Sequence, residues 1–286
     1  MESVASLFLK GKELKDYCTF GIGGAAKYLI EVESATQMQE VITFCCKNTI
    51  PYFVLGKGSN SLFPDSGYDG LVIINKISYC KIEGNLVDVG AGYSFSLLGV
   101  QTARAGFAGL EFASGIPGSV GGAVFMNAGA NQMETANTLQ SVSFVTEKGE
   151  IQTLTRESIE FGYRHSLFHE KKWVITSATF LLTPSTSARK KQREIIDYRL
   201  ETQPYKDRSA GCVFRNHEKG SAGALIEKAG LKGVRIGGAE VSLMHANFIV
   251  NREGATASDV LALAAHVREV VKEKTGVELE FELRTF

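Results

Sequence analysis

Gly21-Ile22-Gly23-Gly24-Ala25-Ala26 matches G-x-G-x-x-A, the glycine pattern that opens the helix of a dinucleotide-binding βαβ unit, so its reading decides the fold. In such a unit a strand runs into the glycines and a helix leaves them. Here the preceding Lys15-Asp16-Tyr17-Cys18-Thr19 is polar, and the following Lys27-Tyr28-Leu29-Ile30-Glu31-Val32 is strand-like. The context contradicts the motif. These glycines are expected to form a structural turn, and the fold has to be read from the rest of the chain.

Around this turn, helical and strand patterns alternate. Residues 28–32, 52–55, 71–74 and 86–89 are rich in branched and aromatic side chains and predict short strands. Residues 34–48 predict a helix, because Ser34 can cap it, Gln37 completes a capping box, and Met38, Val41, Ile42 and Cys45 recur at helical spacing. A second β-rich stretch places Val142, Phe144, Ile151 and Leu154 around a Lys148-Gly149 turn and continues at 173–182. The polar, basic run 185–191 leads into a charged helix that has to end before Gln203-Pro204, since the residue before proline disfavours helix. A domain boundary is expected there. Beyond it, 222–229 reads as a helix stopped by Gly230. Residues 256–274 read as a longer one, with a Thr256/Asp259 capping box, an apolar face of Val260, Leu263, Ala264, Val267, Val270 and Val271, and Gly276 as terminator. A last strand is expected over 277–285.

Composition narrows the function classes. At 286 residues, 44% hydrophobic and 22% charged, the chain can bury a substantial core, and a prior of roughly 150 residues per domain suggests two domains. Thirty-one basic residues balance thirty-one acidic ones, so no overall positive field exists to hold nucleic acid. The first ten residues carry an acid near their front and too short an apolar run for a signal peptide. No uncharged apolar stretch is long enough to span a bilayer, and a cytoplasmic protein is expected. Cys18, Cys45, Cys46, Cys80 and Cys212 form an odd, scattered set without a CxxC pair, which points to reduced thiols rather than a disulfide framework or metal site.

Two other glycine runs are better placed for chemistry: Gly56-Lys57-Gly58-Ser59-Asn60-Ser61, and Gly115-Ile116-Pro117-Gly118-Ser119-Val120-Gly121-Gly122-Ala123. Each sets glycines beside small polar residues, a composition that lets backbone N–H groups face an anion. Neither contains G-x-x-x-x-G-K-[ST], so a nucleoside-triphosphatase loop is not indicated. On composition alone, phosphate cradle and tight turn remain equal alternatives.

Read in order, Thr19-Phe20-Gly21-Ile22-Gly23-Gly24, Leu55-Gly56-Lys57-Gly58-Ser59-Asn60, Gly109-Leu110-Glu111-Phe112 with Gly115-Ile116-Pro117-Gly118, and Phe125-Met126-Asn127-Ala128-Gly129 resemble the UDP-N-acetylenolpyruvoylglucosamine reductase family. Tyr163-Arg164-His165-Ser166, Ser209-Ala210-Gly211-Cys212-Val213-Phe214-Arg215-Asn216, His245-Ala246-Asn247-Phe248 and Glu280-Phe281-Glu282-Leu283-Arg284 continue the match over nearly the whole chain. The resemblance implies an α+β fold, the FAD-binding fold of the vanillyl-alcohol-oxidase type with a smaller C-terminal α+β substrate domain. The expected division is an FAD-binding domain over 1–203, in two subdomains of about 1–75 and 76–203, and a substrate domain over 204–286 whose last strand packs back on the first. The run from Tyr163 to Gln203 matches the shorter type, without a tyrosine-bearing insertion. FAD and NADPH are implied as cofactor and co-substrate, and a UDP-sugar of peptidoglycan precursor synthesis as substrate. The two glycine runs become the FAD cradle.

The same resemblance assigns the chemistry. Reducing an enol ether needs a hydride at one carbon and a proton at the next. Where the family usually has a serine proton donor, this chain has Cys212. A thiol, with an ordinary pKa near ~8.5, gives up a proton more easily than a hydroxyl, and also risks becoming a thiolate that cannot donate. Arg164 matches the catalytic arginine, whose forked guanidinium can hold a carboxylate, and Glu282 the catalytic glutamate of the last strand. Arg215, Asn216 and His245 are implied at the substrate. His217 stands where a proline is usual. Taken singly, Cys212 reads more readily as a small packed residue, Arg164 as an ion-pair partner and Glu282 as an exposed strand charge, and their joint placement inside matching segments reverses that. A flavin-linked oxidase acting on another small alcohol and a degenerate, non-catalytic nucleotide-binding module are the alternatives in function.

Overall fold

The computed structural model describes residues 4–286, so the first three residues of the leader reading lie outside the described residues. By compactness the chain divides into two units, each discontinuous in sequence. The first comprises the chain up to Lys10, Tyr28–Lys57 and Gly70–Arg199; the second comprises Gly11–Lys27, Gly58–Asp69 and Leu200–Phe286. The division at Leu200 lies close to the expected one, but two early stretches, 11–27 and 58–69, belong with the C-terminal part.

In the first unit, a five-stranded antiparallel sheet runs in the order Ile151–Thr155, Leu139–Val145, Val174–Leu181, Leu86–Gly90, Cys80–Glu83. The expected hairpin is present, with Gly149 taking φ +82° at its turn. Helices α2 (Phe95–Arg104) and α3 (Val120–Phe125) contribute Phe95, Leu98, Val120 and Val124 to the core that covers this sheet. A second sheet includes the parallel pair Tyr52–Leu55 and Tyr68–Asn75, with Ala25–Val32 and an unanticipated strand, Leu9–Glu13. Helix α1 (Ala35–Lys47) turns Met38, Val41, Ile42 and Cys45 into that core, the four positions its periodicity singles out. Ser34 caps it, accepting from Gln37 N at 3.1 Å, while Gln37 reaches past the cap to Glu33 N.

Helix α4 (Ala188–Thr202) ends before Gln203, as expected. The second unit holds a four-stranded antiparallel sheet, Arg208–Cys212, Phe248–Asn251, Ala239–Val241, Arg235–Ile236, with α5 (Ala222–Lys228) and α6 (Ala257–Thr275). The capping box at Thr256 and Asp259 is formed and Gly276 closes α6 at φ +69°.

The expected last strand over 277–285 is a correction. Only Arg284–Thr285 is strand, paired in parallel with Ser61–Leu62, and Phe281 makes an isolated bridge to Phe214. The reason is local: Glu282 N and Leu283 N both donate to Val213 O, at 2.8 and 3.3 Å, which breaks the alternation a ladder needs. Gly21 closes a turn by donating to Cys18 O, residues 21–24 are irregular, and the chain then enters the strand Ala25–Val32 and not a helix, so the dinucleotide motif is excluded by geometry. All five cysteines are free thiols. Among the described residues, no helix is long and apolar enough to cross a membrane.

Candidate functional site

The first glycine run leaves the strand Tyr52–Leu55 and uses its carbonyls and one side chain for bracing. Gly58 O accepts Thr19 N at 3.3 Å, Asn60 O accepts Arg284 N at 3.2 Å, and Asn60 Nδ2 donates to Glu282 O at 3.0 Å. Among the described residues, the N–H groups of Gly56, Lys57, Gly58, Ser59 and Asn60 have no acceptor. Unbonded consecutive amides are what an anion-binding loop requires. Burial, and then the charge of Lys76, push the Lys57 ammonium below the usual lysine range. Ser61 begins the short strand.

The second run spends most of its amides internally. Gly115 N donates to Ser96 Oγ, Ile116 N to Ala113 O, Gly121 N to Ala91 O, Gly122 N to Ser119 Oγ and Ala123 N to Ser119 O. Pro117 has no N–H, so only Gly118 and Ser119 keep free donors among the described residues. The two runs meet where Gly56 approaches Ser119: a Cβ on Gly56 would collide with the serine hydroxyl.

Arg164 sits in the first unit, at the tip of a hairpin in which Phe161–Gly162 pairs with His165–Ser166. Its φ of +55° is a left-handed conformation that a non-glycine residue adopts only when its surroundings enforce it. Those surroundings come from the 125–129 segment. Asn127 Nδ2 donates to Gly162 O at 3.0 Å, Ser166 Oγ donates to Phe125 O at 2.6 Å, and Arg164 Nη2 donates to Gly129 O at 3.2 Å. The Arg164 guanidinium also lies over Tyr163, 4.8 Å from the ring centroid. Sequence reading matched the 125–129 motif without seeing this bracing role. An asparagine at φ +42°, like Asn127, is its signature.

In the second unit, Cys212 ends the strand Arg208–Cys212, half-buried and opposite Phe248, just after an irregularity in which Gly211 takes φ +76°. The next residue, Val213, accepts from Glu282 N. Cys212 and Glu282 are thus on neighbouring backbone, although Glu282 lies in an irregular segment and not in a strand. Asn247 fixes the adjacent turn, accepting from Phe214 N at 3.0 Å and donating to Phe214 O at 2.8 Å. Arg215 N donates to Glu280 O at 2.8 Å, while Arg215 Nε is buried without a partner, an orphan donor of the kind a ligand satisfies. Asn216 Oδ1 accepts from Ala222 N at 3.0 Å, which ties it to the start of α5.

His245 Nδ1 accepts from Asn247 N at 3.3 Å, and its ring meets Phe248 edge-on at 4.8 Å. Burial lowers its pKa and favours neutral imidazole, whose other nitrogen then carries the proton. His217 forms a tight turn with Gly220. A separate cavity of about 340 Å³ is lined by Lys15, Asp16, Cys18, Thr19, Gly21 and Arg208, none of them a predicted site residue.

Residues 203–286 match the family model of the C-terminal domain of UDP-N-acetylenolpyruvoylglucosamine reductase, and residues 26–155 match that of an FAD binding domain. The chain is 61% identical over 272 residues to the UDP-N-acetylenolpyruvoylglucosamine reductase of Protochlamydia amoebophila (strain UWE25), covering 95% of this chain and 91% of that protein. It is 46% identical over 272 residues to the protein of the same name from Chlamydia muridarum (strain MoPn / Nigg), covering 95% of this chain and 92% of that one. The crystal structure of the reductase from Thermus caldophilus superposes with a TM-score of 0.85 at 38% identity, over 98% of this chain and 99% of that one. The fold is the FAD-binding fold with a smaller C-terminal domain, and the chain belongs to the UDP-N-acetylenolpyruvoylglucosamine reductase family of FAD-dependent oxidoreductases.

Proposed function

We propose that the chain uses NADPH to reduce the enolpyruvyl ether of UDP-N-acetylenolpyruvoylglucosamine to the lactyl ether of UDP-N-acetylmuramate, a step of peptidoglycan precursor synthesis in the cytoplasm. The FAD pyrophosphate is held by Gly56, Lys57, Gly58, Ser59, Asn60 and Ser61 together with residues 115–123. The residues fit that group, since the free amides of 56–60, with Gly118 and Ser119, supply donors that the protein leaves unused. When bound, FAD supplies the hydride delivered to the terminal carbon of the enolpyruvyl group.

The protein supplies the rest. Arg164 holds the substrate carboxylate as charge builds on it, with the bracing of its hairpin keeping the guanidinium oriented. Cys212 gives a proton to the carbon bearing the ether oxygen. Glu282 faces the same proton path and assists its transfer. Arg215, Asn216 and His245 contact the UDP-sugar, and the orphan Nε of Arg215 gains a partner there. The observation that supports the reading is the docking of Glu282 N on Val213 O, within one unit, where Val213 is the residue after Cys212.

The test is anaerobic and in two halves. Cys212→Ala is expected to leave flavin reduction by NADPH intact and to slow reoxidation by the enolpyruvyl UDP-sugar by about a hundred-fold or more. Reoxidation at the wild-type rate removes Cys212 from the mechanism. Wild-type protein recoloured by oxygen alone, and not by the UDP-sugar, would sink the whole assignment. Cys212→Ser is expected to retain activity with a shifted pH profile, because the hydroxyl is the far weaker acid.

A further inference from the structure

The segment carrying Glu282 has no continuous ladder; Glu282 N on Val213 O, Asn60 Nδ2 on Glu282 O and Arg215 N on Glu280 O hold its backbone at separate points, and the packing of Phe281 adds to what sets its roll. In extended chain, successive side chains leave on opposite sides, and fixing Phe281 therefore helps fix the side on which the Glu282 side chain leaves the backbone. The Phe281 ring stacks on Phe214, with centroids 5.4 Å apart and an interplanar angle of 28°. The guanidinium carbon of Arg268, on α6, lies over the same ring, 5.5 Å from its centroid. Arg268 Nη2 also reaches Glu278 Oε1 at 3.6 Å, while Lys272 Nζ holds the other oxygen at 3.1 Å. The support behind these contacts is firm: α6 is capped at both ends and buries an apolar stripe.

Arg268 is poorly explained by stability alone. Its Nε is buried with no hydrogen-bond partner, and an unpaired buried donor costs more than an apolar side chain in the same place. We propose that Arg268 is a positioning residue for proton transfer: stacked on Phe281, it steadies the segment from which the Glu282 side chain leaves, on the backbone that docks next to Cys212. The inference rests on the role given to Glu282 above.

The test uses holoenzyme and anaerobic single turnovers. Arg268→Ala is expected to slow reoxidation of the reduced flavin by the enolpyruvyl UDP-sugar about ten-fold, as for a catalytic group displaced by a fraction of an ångström, and to shift the pH profile of that step. Flavin reduction by NADPH, which reports that the protein is folded, stays at the wild-type rate, and the substrate concentration at half-saturation stays within about two-fold. Arg268→Lys keeps a cation over the ring and recovers most of the rate. Lys272→Ala, which removes only the other cation on Glu278, leaves the step unchanged. In a double-mutant cycle, Arg268→Ala adds nothing to Glu282→Gln. The proposal is overturned if Arg268→Ala leaves both rate and pH profile unchanged while Glu282→Gln slows the step, or if Lys272→Ala slows it equally. A Glu282→Gln variant at the wild-type rate overturns the underlying role of Glu282, and the inference with it.

Discussion

The glycine runs at 21–24 and 56–60 use similar residues and put their backbones to opposite uses. In the first, glycines let segments touch: a Cβ on Gly23 would lie 2.6 Å from Phe63 Cβ, and one on Gly24 would collide with Asp65 O and lie 2.7 Å from Gly67 N. Two of the four donors are spent as well, Gly21 N on Cys18 O and Gly24 N on Pro64 O. In the second run, carbonyls and the Asn60 side chain do the bracing, and among the described residues five successive N–H groups stay unbonded. Among the described residues, the run that fits the dinucleotide pattern thus spends two of its four amides on bracing, whereas the run that fits no such pattern spends none. A glycine motif specifies backbone freedom; the neighbours decide what the freedom is used for.

Three substitutions press on this contrast. Gly24→Ala forces a side chain into backbone on two sides and is expected to destabilise the protein by about 3 kcal/mol or more, read as a lowered urea midpoint. A wild-type midpoint would break the claim that the first run serves packing. Gly56→Ala meets the hydroxyl of Ser119 and, at 3.1 Å, its Cβ; the hydroxyl can rotate but then releases Gly122 N at the start of α3, so the expected cost is about 1 kcal/mol. Adding Ser119→Ala removes the obstruction, and the double variant is expected to be more stable than the sum of the two single effects predicts. Strict additivity would separate the two loops energetically.

The smallest effect is expected at Lys57. Burial and the Lys76 charge disfavour its protonated form, and a bound pyrophosphate would restore it. Binding then takes up a proton, so FAD affinity falls as pH rises through the depressed Lys57 pKa. Lys57→Met is expected to weaken FAD by no more than about five-fold and to flatten that alkaline fall. Titrations of apoprotein across pH at fixed salt check it, and an unchanged alkaline limb in the variant counts against it.

Local patterns were legible wherever one element carries its own signal. Helix α6 shows its cap, its buried face and its glycine stop in consecutive residues, and all three are formed. The Lys148-Gly149 hairpin is equally self-contained. The strand Leu9–Glu13 was not legible, because its residues are mostly exposed and carry no alternation. The 277–285 segment misled for the opposite reason: its alternating Val277, Leu279 and Leu283 are buried as a strand would bury them, but its hydrogen bonds converge on Val213. Within the proposed site, Cys212, Arg164 and Glu282 could be named from matching segments, whereas the contacts of Asn127, Asn247 and Arg268 are to residues of other elements that no local pattern points to.

By itself the sequence determined the family, the α+β class, most helices and hairpins, and the residue types available for handling a proton. These depend on short-range periodicity and on motifs that stay in order along the chain. Only the tertiary structure decided which glycine amides remain free, why Arg164 adopts a left-handed backbone, and that 11–27 and 58–69 group with the C-terminal part. Each of those depends on whether a hydrogen-bond or packing partner arrives from a remote segment, and no local pattern encodes that arrival.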